Sequence, residues 1–145
     1  MTGTTESGLT QMRMYDANDL EQLKVIRLPD NFSFAKVVFT TDGSYAYLSA
    51  PFAESGSPPG VLRYDAENET LEWFIDASRF ISPWLAPQDM QLTPDGRILC
   101  LLSEPGSGIQ PGNLFMFDAQ SGGLLKVLYH EGGQGWHIRV YPIQQ

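Results

Sequence analysis

Met90–Leu102 reads MQLTPDGRILCLL, two apolar runs joined by Pro94, Asp95 and Gly96. An Asp-Gly pair between β-rich, roughly alternating segments is a strong short-range hairpin signal, because glycine takes the positive φ that a tight turn between twisted strands requires. The same pattern occurs earlier as Val37–Ser49, VVFTTDGSYAYLS, with Asp42 and Gly43 at the turn. From Asp42 to Asp95 the chain therefore repeats with a period of 53 residues.

A second echo appears three times: MRMYDA ending at Ala17, VLRYDA ending at Ala66 and LFMFDA ending at Ala119. Each is a strand ending in an aromatic residue, Asp and Ala. The interval from hairpin Asp to strand-end Asp is 23 residues in both full copies, Asp42 to Asp65 and Asp95 to Asp118, although the intervening loops differ. Pro59-Gly60 and Pro111-Gly112 each open the strand that leads to this ending.

Working outward from these anchors, the pattern predicts strands over 11–16 and 21–28, broken by Pro29-Asp30-Asn31. A full set follows at 35–40, 44–50, 61–65 and 70–76. After a connection over 77–88, a second set occupies 89–94, 97–103, 113–118 and 124–130. A last run, 135–143, lies on the start of the preceding repeat with Pro142 over Pro94, but the sequence ends before its turn. Helical periodicity is weak throughout, and all-β is the reading. Residues 1–10, polar and rich in Gly and Thr, read as a flexible N-terminal arm, and 11–145 as a single domain.

The composition agrees with a globular chain: 145 residues, 42% hydrophobic, 12% aromatic and 18% charged. The net charge of −8 with no basic patch argues against a nucleic-acid backbone and against anionic membrane surfaces as partners. No apolar run is long enough to span a bilayer. The first residues, MTGTTESGL, have neither a basic start nor an apolar h-region, so the expected location is cytoplasmic as written, or extracytoplasmic if the chain belongs to a longer exported protein. Cys100, the single cysteine, reads as a small buried core residue, and no internal disulfide can form.

Four antiparallel strands joined by short turns and repeating at roughly 40–50 residues are the signature of a β-propeller blade. The chain resembles propeller proteins of the YVTN and amine-dehydrogenase β-chain-like type, whose blades carry a TPDG or SPDG turn between strands one and two and a YD ending on strand three. The residues that carry the likeness are Thr93-Pro94-Asp95-Gly96, Thr41-Asp42-Gly43, Tyr15-Asp16, Tyr64-Asp65 and Phe117-Asp118. The resemblance covers roughly 11–143. It implies a half blade at 11–28, blades at 35–76 and 89–130, and the first strand of a further blade at 135–143. That is just under three blades, whereas propellers close with about four to eight.

An open arc exposes two blade faces, so the expected partner is a second copy closing a ring of about six blades, or another propeller chain. Antiparallel alternation puts the turns between strands one and two, and three and four, on one plain face, and the long loops on the other. The loop face carries the candidate ligand- or partner-binding residues Phe52, Glu54, Arg79, Trp84, Glu104, His130, Trp136 and His137. Trp84, between Pro83 and Leu85, is the aromatic best suited to anchor a partner. His130, Glu131 and His137 lack a further ligand for a metal site, and no nucleophile elbow or phosphate-cradling loop stands out. Asp16, Asp65 and Asp118 recur because the blade turn wants an Asp, and not as a catalytic triple. The sequence thus points to a non-enzymatic binding or assembly module, with no catalytic residues, metal or cofactor assigned. The alternatives are an enzyme or subunit of the propeller-dehydrogenase kind and a fragment of a longer propeller protein.

Overall fold

A computed structural model describes residues 11–28, 36–50, 60–76, 87–103, 113–129 and 138–140. Within them run ten strands: β1 (Gln11–Tyr15), β2 (Gln22–Arg27), β3 (Lys36–Phe39), β4 (Tyr45–Ala50), β5 (Gly60–Asp65), β6 (Thr70–Asp76), β7 (Pro87–Leu92), β8 (Ile98–Ser103), β9 (Asn113–Asp118) and β10 (Leu124–Tyr129). They form three antiparallel sheets, ordered β1-β2, β3-β4-β5-β6 and β7-β8-β9-β10. No helix occurs among the described residues. The two four-stranded sheets run from Lys36 to Asp76 and from Pro87 to Tyr129, where the sequence suggested 35–76 and 89–130, and β1-β2 is the pair expected at 11–28. Of the run 135–143, only 138–140 is described, and those three residues are not in a ladder. The arm at 1–10 lies outside the described residues.

Each sheet is a meander because its connections are short, and the period-2 alternation then sorts the side chains onto two faces. On one face of β3–β6, Ala46, Leu48, Leu62 and Tyr64 pack against Met12, Ile26 and Leu28 of the half blade. On the other, Tyr47, Val61 and Ile75 meet Met90, Leu99, Leu101, Phe115 and Phe117 of the next sheet. A strand buried on both faces reads as a continuous apolar run rather than an alternation. That is why YAYLSA in β4 and ILCLLS in β8 are buried along almost their whole length. The edge strands β3 and β7 come together, so the sheets converge at their first strands.

Where those first strands meet, the Asp89 carboxylate is 3% exposed. It lies 3.2 Å from Lys36 Nζ and accepts hydrogen bonds from the amides of Met90 (2.9 Å) and Ile138 (2.8 Å). One side chain of β7 thereby joins β3 to residue 138.

Candidate functional site

The two blade hairpins are built alike. Thr40 N–H donates to the Tyr45 carbonyl at 3.0 Å and Gly43 N–H to the Thr40 carbonyl at 3.0 Å. Tyr45 N–H in turn reaches the Thr40 hydroxyl oxygen at 3.0 Å. In the next blade Thr93 N–H donates to the Ile98 carbonyl at 2.9 Å, Gly96 N–H to the Thr93 carbonyl at 2.8 Å, and Ile98 N–H to the Thr93 hydroxyl at 3.0 Å. Gly43 and Gly96 have φ of 74° and 72°. The turn is wider than the tight Asp-Gly turn expected from the sequence. Four residues separate the closing pair, and the glycine is the third of them. The Thr40 and Thr93 hydroxyls hold this wider loop by standing in for a backbone acceptor.

The recurring aspartates are the other fixed part. Asp65 Oδ1 accepts the amides of Glu67 (3.0 Å) and Asn68 (2.9 Å). Asp118 Oδ1 accepts those of Gln120 (3.1 Å) and Ser121 (2.7 Å). Asp16 Oδ1 accepts that of Asn18 at 2.7 Å. Each closes an Asx-type turn, which gives the YDA echo a structural cause.

Between the turns of the two full blades lies a cleft of about 480 Å³. Asp42 and the Thr40–Tyr45 turn form one wall, Pro94–Gly96 the other, and Tyr47, Arg63 and the Ala119–Gln120 turn the floor. The floor is also the seam between the blades. The buried Tyr47 hydroxyl donates to the Ala119 carbonyl at 2.7 Å, and Arg63 Nη1 donates to the Gln120 carbonyl at 3.1 Å. Glu72 Oε1 accepts from Arg63 Nε and Nη2 at 3.1 and 2.6 Å. The guanidinium carbon of Arg63 lies 4.3 Å from the Phe74 ring centroid and 5.1 Å from that of Tyr45.

Electrostatically the walls are acidic. The Thr40 hydroxyl, with the amide and hydroxyl of Ser44, lowers the Asp42 carboxyl to about 2. The Thr93 hydroxyl and Arg97 amide likewise hold Asp95 below its usual range. Both carboxylates are therefore anionic at neutral pH. Burial raises the pKa of Tyr47 and of the Cys100 thiol, so both stay neutral. No group of three or more metal-ligating side chains occurs among the described residues.

All eight residues singled out on the loop face, Phe52, Glu54, Arg79, Trp84, Glu104, His130, Trp136 and His137, lie outside the described residues. The seam cleft is on the opposite face, which the sequence presents as plain. Its carboxylates were visible there as turn residues, but nothing in the pattern brings Arg63 under them.

Comparison with known proteins gives the architecture its class. No protein family and no curated protein matches the sequence. Solved structures do. TolB from Acinetobacter baumannii is 19% identical, with a TM-score of 0.59 over 88% of this chain and 28% of that one. The β-propeller domain of the Trilobed protease from Pyrococcus furiosus, described as having an open velcro topology, is 10% identical, with a TM-score of 0.58 over 89% of this chain and 38% of that one. The β-propeller domain of Cps50 (Swd1) from Myceliophteria thermophila is 10% identical, with a TM-score of 0.62 over 89% and 42%. The chain has a β-propeller fold, built from blade-like antiparallel sheets. It spans between 28% and 42% of the length of these neighbours.

Proposed function

We propose that this chain is a non-enzymatic binding or assembly module of the YVTN-like kind, an arc of blades that closes into a ring by pairing with a second copy of itself and presents its long-loop face to a ligand or partner. The observation that carries the reading is the half blade. By its YDA ending β1 corresponds to β5 and β9, each of which pairs on both edges, whereas β1 pairs only with β2 among the described residues. An open edge is a template for further strands.

The outer faces support the same reading. On the half blade Leu23 and Val25 are 62% and 42% exposed, and the buried Arg13 Nε finds no hydrogen-bond partner among the described residues. At the other end of the arc, register turns Leu114, Met116 and Leu128 away from the neighbouring sheet, and Leu128 is 42% exposed. An apolar face meeting a different face head to tail is a heterologous contact that closes when the rotation allows.

Light scattering coupled to size exclusion, at several concentrations, tests the reading. A species near twice 16.1 kDa is the expected result, and Val25→Asp shifts it toward monomer. A monodisperse 16.1 kDa particle overturns pairing and assigns the closing blades to a longer form of this chain or to a different one.

A further inference from the structure

The seam cleft faces away from the loop surface, and its chemistry can be read independently of how the ring closes. Its volume of about 480 Å³ lies within the roughly 300–1,000 Å³ typical of small-ligand sites. The polar groups around it differ in what they have left to offer. Arg63 spends one N–H of each nitrogen on Glu72 or the Gln120 carbonyl, and Glu72 answers its charge within the floor. The Tyr47 proton is committed to the Ala119 carbonyl. Asp42 and Asp95 are acceptors only, one on each wall, and each retains acceptor capacity beyond its own turn. A ligand that reaches both walls meets their carboxylates as a hydrogen-bond donor, and it gains most there by carrying positive charge.

Two further features favour a flat or extended organic cation over a neutral donor. The turns at this end of the blades, residues 16–21, 40–44, 65–69, 93–97 and 118–123, hold nine carboxylates against one cation, Arg97. A cleft opening on such a face concentrates cations from solution. The molecule also supplies its own sample of the fit. The Arg63 guanidinium in the floor lies over the Tyr45 and Phe74 rings while its edge meets a carboxylate and a carbonyl. The cleft above it adds two more carboxylates, Asp42 and Asp95, beside Tyr45.

We propose that the cleft between the Thr40–Tyr45 and Pro94–Gly96 turns binds a guanidinium or alkylammonium group, supplied either by a free amine or by a Lys or Arg side chain of a basic peptide segment.

The test uses the full chain and two probes, arginine amide and a tetra-arginine peptide, titrated while backbone amide shifts are followed by NMR. The variants are Asp42→Asn and Asp95→Asn, which keep an Oδ1 acceptor for the turn and remove only the charge. The expected result is shifts concentrated at Gly43, Gly96 and Ala119, with affinity falling roughly five- to tenfold in each variant and further with added salt. A peptide that binds more tightly per arginine than arginine amide identifies a protein segment as the source, and equal affinity identifies a free amine. No shift up to about 10 mM probe overturns the proposal. So do shifts spread evenly over the Asp16 and Asp65 turns, or affinity unchanged in both variants. Because the readout is local to the turn face, failure here leaves the ring-closing mass unaffected, and a monomeric mass leaves these shifts unaffected.

Discussion

Replacing Gly122 by alanine tests the blade-to-blade seam more sharply than any change in the apolar core. Gly43, Gly96 and Gly122 share nearly the same left-handed backbone, with φ of 74°, 72° and 72°. A side chain in that region costs roughly 1–2 kcal/mol. The loss of freedom in the unfolded chain returns about 0.4–1 kcal/mol. At Gly43 and Gly96 an added Cβ meets nothing within 4 Å, so Gly43→Ala and Gly96→Ala destabilise by about 1 kcal/mol each. At Gly122 the same Cβ would stand 2.9 Å from the carbonyl oxygen of Phe74, in the neighbouring sheet. Phe74 is the residue passed over where the β5–β6 register shifts between Val61 and Leu62, and its backbone cannot yield as a flexible side-chain tip would. Relieving the contact means moving the Ala119–Gly122 turn off β6, at a further cost of roughly 1–3 kcal/mol. Gly122→Ala is therefore expected to lose about 2–4 kcal/mol in all. Urea denaturation followed by circular dichroism compares the three variants under one condition. If Gly122→Ala falls within about 0.5 kcal/mol of the other two, the close approach of blade to blade is not real.

Tyr47→Phe removes the donor to the Ala119 carbonyl and costs about 1–2 kcal/mol, with the denaturant slope unchanged. Asp89→Ala leaves Lys36 Nζ and the Ile138 amide without that carboxylate. Its cost is about 2 kcal/mol, below that of a fully buried pair because the Lys36 side chain is 39% exposed, and faster hydrogen exchange at Ile138 is the specific readout. Burial alone would raise the Asp89 pKa, but the Ile138 and Met90 amides and Lys36 outweigh it and hold it low. Asp42, Asp65, Asp95 and Asp118 are also held below 3.8. A depressed folded-state pKa contributes stability that is present above the unfolded value and lost as pH falls through the folded one. Unfolding free energy should then decline from near pH 4 toward pH 2, with a shallower decline in Asp42→Asn. Cys100, buried with its pKa raised, should react with a thiol reagent only at the rate of unfolding.

What was legible in the sequence is what one blade dictates to itself. Asp95-Gly96 and Asp42-Gly43 marked the hairpins, and the YDA endings marked where β1, β5 and β9 stop, because turn chemistry is local and depends on a few adjacent residues. What was not legible depends on two blades at once. The two-residue period of a strand puts Tyr47 on the face opposite Ala46 and Leu48, but does not point it to the carbonyl of a residue 72 positions away. Arg63 reads as one polar residue in a strand, and its sandwich between Phe74, Tyr45, Glu72 and Gln120 follows only from the packing. The fourth residue after each YDA aspartate is left-handed in all three turns. It is glycine only at Gly122, with Leu20 at φ 61° and Glu69 at φ 56°, so residue type concealed a shared geometry. The loop-face residues were chosen from loop length and composition, and lie outside the described residues.

The sheet β3–β6 serves as a party wall, lending one face to each neighbour's core. Among the described residues β1-β2 and β7–β10 share no apolar cluster, so within them any loosening at one end reaches the other through this sheet. Its inner strand β4 should exchange its amide protons last of all, at the rate of whole-molecule opening, while the half blade opens on its own beforehand. Cooperativity in this protein is thus a property of its middle, and excising residues 36–76 would leave two pieces, each with half an interior.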